Sequence, residues 1–132
     1  IIGYQINSPL SDNQLNKLVD DLFTDPIIEI GSFNSPLLDN KEAFETTPEA
    51  VITVGFRPGV TDNRATAAQD GFATIFPEMA KQPRISTTIS YVFFGMGDVD
   101  LNWLSNQLHN SLIETVVISD INDVIHTGTP NF

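Results

Sequence analysis

Side chains that could do chemistry are few in this sequence, and they are not spaced as a catalytic set. The two histidines, His109 and His126, fall on a predicted helix and in the carboxyl-terminal tail, and neither has a second ligand at metal-binding spacing. Acidic pairs such as Asp20-Asp21 are expected by chance in a chain with 17 acidic residues. There is no cysteine, which excludes thiolate chemistry and disulfides. We therefore predict no catalytic, metal-binding or cofactor-binding residue in this chain.

The glycines Gly95 and Gly97 form a fragment of the pattern typical of a phosphate-binding loop. No third glycine follows at the required spacing, and no Lys-Ser or Lys-Thr pair follows either. We therefore interpret this segment as a turn that leads from a strand into the next helix.

The stretch 57-RPGVTDNR-64 places two of the chain's 6 basic residues around a Pro-Gly turn. In the simpler interpretation Arg57 and Arg64 pair with local acids such as Asp62, and in the functional one they contact a neighbouring domain or an anion. Trp103, the single tryptophan, either packs at a buried edge or contacts a partner protein. The candidate contact residues are Arg57, Pro58, Gly59, Asp62, Asn63, Arg64 and Trp103.

The charge of the chain limits its partners. Its formal net charge is −11, so it lacks the basic surface that nucleic acids and anionic membranes require. The longest apolar runs are far shorter than the ~20 residues that span a bilayer. The amino terminus lacks the pattern of a signal peptide, and the absence of cysteine suits a reducing compartment. We expect a chain that binds neither nucleic acid nor membrane.

Apolar periodicity and turn residues predict the elements that position the candidate residues. Residues 11–23 carry apolar side chains at helical spacing and begin with Ser11 and Gln14, the pattern of a capping box. Pro58-Gly59 ends an apolar strand, and Asp62 or Thr61 caps the next helix. The predicted strands are 2–7, 27–33, 50–56, 84–94 and 115–121, and the predicted helices are 11–23, 62–76 and 101–112, the last capped by Asp98 or Asp100.

These elements predict an α+β fold, a sandwich with a mostly antiparallel sheet and helices packed on one face. Its segments are an amino-terminal βαβ extension (1–33), an acidic tether (34–49), a βαβαβ unit (50–123) and a linker (124–132) toward further domains. We expect one compact domain overall, cut from a longer polypeptide because the chain begins without methionine.

The second half of the chain contains FRPGVTDNRATAAQDG, a long strand, a leucine-bearing helix and IETVVISDIND, in that order. This arrangement resembles the PurS-like domain of phosphoribosylformylglycinamidine synthase (FGAM synthase). The extension in front resembles the start of the large single-chain form of the enzyme. The residues that match the family pattern are Pro58, Gly59, Val60, Asp62, Ala68, Gln69, Glu114, Thr115 and Val116.

The resemblance implies a PurS-like, ferredoxin-like sandwich that is not itself catalytic. The whole enzyme is a ligase of purine biosynthesis and a glutamine amidotransferase that uses ATP, magnesium and ammonia from glutamine. Those cofactors are expected in later domains. The resemblance also implies a cytoplasmic domain that bridges the synthetase and glutaminase domains and supports ammonia transfer.

A different class of protein shares the Pro58-Gly59 turn. ACT domains, which sense amino acids and other small molecules, also follow their first strand with such a turn and hold an effector there. This alternative accounts for residues 50–75 but not for the final E-T-V strand. A third hypothesis is that the isolated fragment dimerises, because a lone PurS-like module leaves a sheet edge uncovered and such an edge invites pairing.

Overall fold

The computed structural model of the protein describes residues 1–27, 29–34, 44, 46, 48–79 and 81–119. Within these residues the protein is α+β, with four strands and three α-helices. The α-helix α1 continues directly into a π-helical turn, Val19–Phe23. The elements are β1 (Ile2–Asn7), α1 (Asp12–Leu18), β2 (Ala50–Phe56), α2 (Asn63–Ile75), β3 (Arg84–Phe93), α3 (Leu101–Leu108) and β4 (Glu114–Ser119).

The strands form an open antiparallel sheet in the order β1-β3-β2-β4. Strand β2 pairs antiparallel with β3 on one side and with β4 on the other. Its residues are buried from Ala50 to Gly55, so the side chains that alternate between the two faces of the sheet are buried on both. Ile1 and Ser90 exchange both backbone hydrogen bonds, at 2.8 and 2.7 Å, which is the pattern of an antiparallel pair.

The chain divides into two compact units. The first contains Ile1–Gly3, Ser35–Thr61 and Thr88–Phe132, and the second contains Tyr4–Asn34 and Asp62–Thr87. These limits do not coincide with the segments inferred from the sequence, because β1 and β3 each contribute residues to both units.

The second unit is built on the apolar face predicted for α2. Tyr4 and Phe23 stack beside this core with their ring centroids 4.2 Å apart. Gly71 lies where a Cβ atom would collide with the side chain of Leu22, so the absence of a side chain lets the π-helical turn approach α2 closely. The buried core residues are Leu18, Ala65, Ala68, Phe72, Phe76 and Ile85.

The first unit has a smaller apolar cluster and a buried polar pair. Val51 is fully buried and contacts the partly buried side chains of Ile1, Phe44 and Val92. Between β2 and β3, the hydroxyls of Thr53 and Ser90 are hydrogen-bonded at 2.8 Å. Since a buried hydroxyl without a partner is costly, this cross-strand bond lets polar residues occupy the interior of the sheet.

Most predicted element boundaries are confirmed. Ser11 and Gln14 form the capping box of α1, with backbone-to-side-chain distances of 3.2 and 2.9 Å. The cap of α2 is Asp62, and its helix ends before Pro77 as predicted. Asp100, rather than Asp98, caps α3. The strands β2 and β3 lie where the sequence predicts them.

The predicted strand at 27–33 is wrong for the residues described there. Asp25 closes a local turn instead, because its carboxylate accepts from the Ile27 amide at 2.9 Å and its carbonyl accepts from the Glu29 amide at 2.7 Å. Ile27 and Ile30 are 90% and 46% exposed, so neither of them belongs to a core strand. Local bonds of this kind compete with pairing in a sheet.

The last helix is also shorter than predicted, ending at Leu108 instead of 112. The side chain of Asn110 accepts from the Leu112 amide at 3.0 Å, and the Asn110 amide donates to Glu114 Oε1 at 2.8 Å. These bonds favour a turn over a further helical turn. The final strand is seen up to Ser119, and the predicted linker 124–132 and most of the tether 34–49 lie outside the described residues. In the described part of the chain, no helix is long and apolar enough to cross a membrane.

Candidate functional site

The Pro-Gly segment forms a type II β-turn at the end of β2. The Val60 amide donates to the Arg57 carbonyl at 3.1 Å, and Gly59 has a φ of 83°. Proline at the second position and glycine with positive φ at the third are the residues that this turn requires. Pro58 and Gly59 are exposed, and a Cβ atom at Gly59 would have no neighbouring atom within 4 Å. The turn therefore projects into open space.

Arg57 joins this turn to the one that precedes β4. Its Nε donates to the Ser111 carbonyl at 2.9 Å, and its amide donates to the Ile113 carbonyl at 2.8 Å. The interpretation that Arg57 pairs with a local acid is therefore wrong. In the described residues the one ion pair joins Lys17 and Asp21, at 3.0 Å.

Asp62 connects the start of α2 to β3. Its Oδ1 accepts from the Ala65 amide at 2.9 Å, which is a helix cap. Its Oδ2 accepts from the amide and the hydroxyl of Thr87, at 3.0 and 2.8 Å. Thr87 is buried, so these bonds satisfy polar groups that water does not reach. The carboxylate thus holds two elements of the second unit together.

Asn63 and Arg64 follow Asp62 on the first turn of α2, and both are exposed. The side chain of Arg64 makes no hydrogen bond or ion pair with the residues that the structure describes, so the interpretation that it pairs with a local acid is also wrong. Burial raises the pKa of Tyr4 above its ordinary value of 10.0, and the positive charge of Arg64 acts in the opposite direction. Because its side chain is exposed and makes no bond there, Arg64 is an exposed cation.

Trp103 lies on the exposed side of α3, and 58% of it is accessible to solvent. The interpretation of a buried packing role is wrong, which leaves an exposed aromatic residue. The sequence predicts Leu112 as the last apolar residue of the helix 101–112, but the helix ends before it and 84% of Leu112 is exposed. Among the described residues of the first unit, the exposed large apolar ones are Ile2, Phe94, Val99, Trp103, Leu112 and Ile113.

The Gly95–Gly97 segment is a turn, as the sequence predicts. Both glycines have positive φ angles, of 59° and 60°. The amides of Gly95 and Met96 donate to the carboxylate of Glu49, at 3.0 and 3.1 Å. The Glu49 carboxylate thus accepts hydrogen bonds from the backbone amides that a bound phosphate would need.

Of the two histidines, only His109 lies among the described residues. The Nδ1 atom of His109 contacts the Ser105 carbonyl at 2.5 Å, one turn earlier in the chain, and His126 lies outside the described residues. In the part of the chain that is described, no three histidine or acidic side chains group as a metal site would require.

The contact residues are divided between the units: Arg57, Pro58, Gly59 and Trp103 belong to the first, and Asp62, Asn63 and Arg64 to the second.

Known proteins supply no family for this chain. No protein-family model, no curated protein and no solved structure matches this chain.

Proposed function

We propose that this chain is a non-catalytic amino-terminal domain of phosphoribosylformylglycinamidine synthase. The observation that carries the proposal is the role of the residues that match the family pattern. Pro58 and Gly59 build a type II turn, Asp62 ties α2 to β3, and Glu114 accepts from the Asn110 amide. A non-catalytic domain acts through its shape, so the residues typical of its family are expected to fix the backbone geometry. Pro58, Gly59, Asp62 and Glu114 have that role in this chain.

In this proposal the domain bridges the synthetase and glutaminase domains of one polypeptide and supports the passage of ammonia between them. ATP and magnesium bind in the later domains, and the enzyme is cytoplasmic. The finer fold is a ferredoxin-like sandwich with its helices on one face of the sheet. The exposed Trp103 is suited to contact another domain, because aromatic residues are enriched in protein interfaces.

The size of the native polypeptide is the first test. An antibody against this chain is used to probe a lysate of its source organism. The proposal requires a polypeptide many times heavier than the 14.5 kDa of this chain. A native protein of about that mass, with no bound synthetase or glutaminase subunit, would contradict it.

A second test separates bridging from catalysis in the intact enzyme. Trp103→Ala is expected to lower glutamine-dependent activity while ammonia-dependent activity is retained, because ammonia added to the solution does not need the domain assembly. Ile27→Ala is the matched control, since Ile27 is an exposed apolar residue of the second unit. Equal loss of both activities would instead indicate damage to the synthetase itself.

The two arginines are tested by the double variant Arg57→Ala/Arg64→Ala, with Arg57→Lys/Arg64→Lys as the conservative comparison. If they contact a neighbouring domain, glutamine-dependent activity falls in the alanine variant and recovers partly with lysine. Unchanged glutamine-dependent activity in the alanine variant would remove them from the contact site.

The open space around Gly59 favours one alternative, an ACT-like domain that senses a small molecule such as an amino acid. A ligand that binds only the folded state raises the melting temperature. A rise with one of the free amino acids, abolished by Gly59→Val, would favour the sensing domain. No rise with any of them, together with a heavy native polypeptide, would favour the synthase domain.

A further inference from the structure

The second unit contains a cavity of about 700 Å³ beside the end of β1 and the start of β3. Its volume falls within the range of small-molecule sites, roughly 300–1,000 Å³. The proposed contact residues of the turn and of α3 do not line it. The lining residues are Asn7, Ser8, Pro9, Met79, Lys81, Gln82, Pro83 and Arg84.

The charge of this lining is opposite to that of the chain. The whole sequence has 17 acidic and 6 basic residues, yet among the residues that the structure describes two basic ones, Lys81 and Arg84, line the cavity and no acidic one does. Both are exposed. In the described part of the chain, the side chain of neither residue makes an ion pair or a hydrogen bond. Two cations without carboxylate partners at one concavity form a local anion-attracting surface.

The other lining residues supply neutral donors and an apolar wall. The side chains of Asn7 and Ser8 can donate hydrogen bonds. Gln82 is held by bonds from its Nε2 to the carbonyls of Phe76 and Met79, at 3.4 and 3.3 Å. Pro9, Met79 and Pro83 provide apolar surface, and Pro83 is buried. Polar groups beside an apolar wall are typical of sites that bind a charged group and the body attached to it.

We propose that this cavity binds a small phosphate-bearing molecule, with Lys81 and Arg84 on the phosphate and the wall of Pro9, Met79 and Pro83 against the rest of the ligand. A phosphate monoester carries a charge of about −1.5 to −2 at pH 7 and three acceptor oxygens, which matches two adjacent cations. The planar guanidinium of arginine also donates two parallel bonds to phosphate oxygens. The proposal does not depend on the assignment to the synthase.

The test is calorimetric titration of the chain with AMP, inorganic phosphate and sulfate. We expect AMP to bind more tightly than inorganic phosphate because of the apolar wall, and sulfate to bind no more tightly than phosphate. Lys81→Ala and Arg84→Ala should each weaken AMP binding by about tenfold or more, the expected effect of losing a charge-assisted hydrogen bond. Arg84→Lys should weaken it less.

Lys17→Ala is the control, because it makes the same change in net charge at an exposed ion pair of the same unit. It should leave AMP affinity within about twofold, since a surface pair contributes little. Circular dichroism of each variant establishes that it is folded. The proposal is overturned if AMP does not bind, if sulfate binds as tightly as AMP, or if Lys17→Ala weakens binding as much as Lys81→Ala.

Discussion

At Gly59 the backbone has a φ of 83°, in the left-handed region that a residue with a Cβ atom adopts only at a cost. Nothing lies within 4 Å of the position that a Cβ atom would take, so a substitution meets no steric obstacle from the rest of the protein. Any loss of stability at this position therefore measures backbone conformation alone.

We predict that Gly59→Ala lowers the free energy of unfolding by about 1–2 kcal/mol, and that Gly59→Asn lowers it less because asparagine tolerates positive φ better. Urea denaturation of the three proteins tests both statements. An alanine variant as stable as the original chain would mean that the turn does not require positive φ at this position.

Tyr4 is the residue whose ionisation should couple to stability. Burial raises its pKa above 10.0 in the folded protein, and the charges of Glu29 and Asp62 act in the same direction, against Arg64. A folded pKa above the unfolded one means that this contribution is fully present below pH 10 and is lost as the pH rises through the folded pKa.

We therefore predict that the free energy of unfolding decreases above pH 10 more steeply in the original chain than in Tyr4→Phe. The phenylalanine variant keeps the ring that stacks on Phe23 and removes the titrating hydroxyl. Denaturation curves between pH 8 and pH 11 give the comparison. Parallel pH profiles for the two proteins would show that Tyr4 does not contribute.

Among the elements, α2 depends on one carboxylate for its connection to β3. Asp62 caps the helix through the Ala65 amide and also accepts from the buried Thr87. Loss of a cap costs about 1 kcal/mol, and a buried donor left without a partner costs about 1–3 kcal/mol. The two effects fall on the same residue, although such costs do not simply add.

We predict that Asp62→Ala lowers the free energy of unfolding by about 2–4 kcal/mol, and that Asp62→Asn costs less because its amide oxygen can still accept. Asp70→Ala is the matched control, since Asp70 lies exposed on the same helix. A similar loss in both alanine variants would point to the removed charge rather than to the cap.

For the whole molecule, the exposed apolar residues of the first unit and the edges of the sheet indicate association. Strands β1 and β4 are the outer strands. Trp103 and Leu112 are 58% and 84% exposed. An uncovered strand edge and exposed apolar side chains both favour contact with another chain.

We predict that the isolated chain self-associates and that Trp103→Ser/Leu112→Ser shifts it toward monomer in sedimentation velocity. The control is Ile27→Ser, which removes a 90% exposed apolar side chain from the second unit. A chain that remains monomeric at high concentration would contradict the prediction, as would an equal shift in the control.

The sequence by itself determined the α+β class, the limits of β2, the capping of α1 by Ser11 and the end of α2 before Pro77. These features depend on residues close together in the chain. Apolar spacing selects the face of a helix, a side-chain oxygen satisfies nearby amides, and a proline beyond the first turn ends or kinks a helix.

Only the tertiary structure decided the features that depend on distant residues. The turn at Ile27 is a different case, because local bonds form it: the Asp25 carboxylate accepts from the Ile27 amide, and the Glu29 carboxylate accepts from the Asp25 amide. The exposure of Trp103 and the choice of Ser111 as the partner of Arg57 follow from packing across long sequence separations. Lys81 and Arg84 became a candidate site only when the fold brought them to one cavity with Asn7 and Ser8, because no local pattern records which segments meet in space.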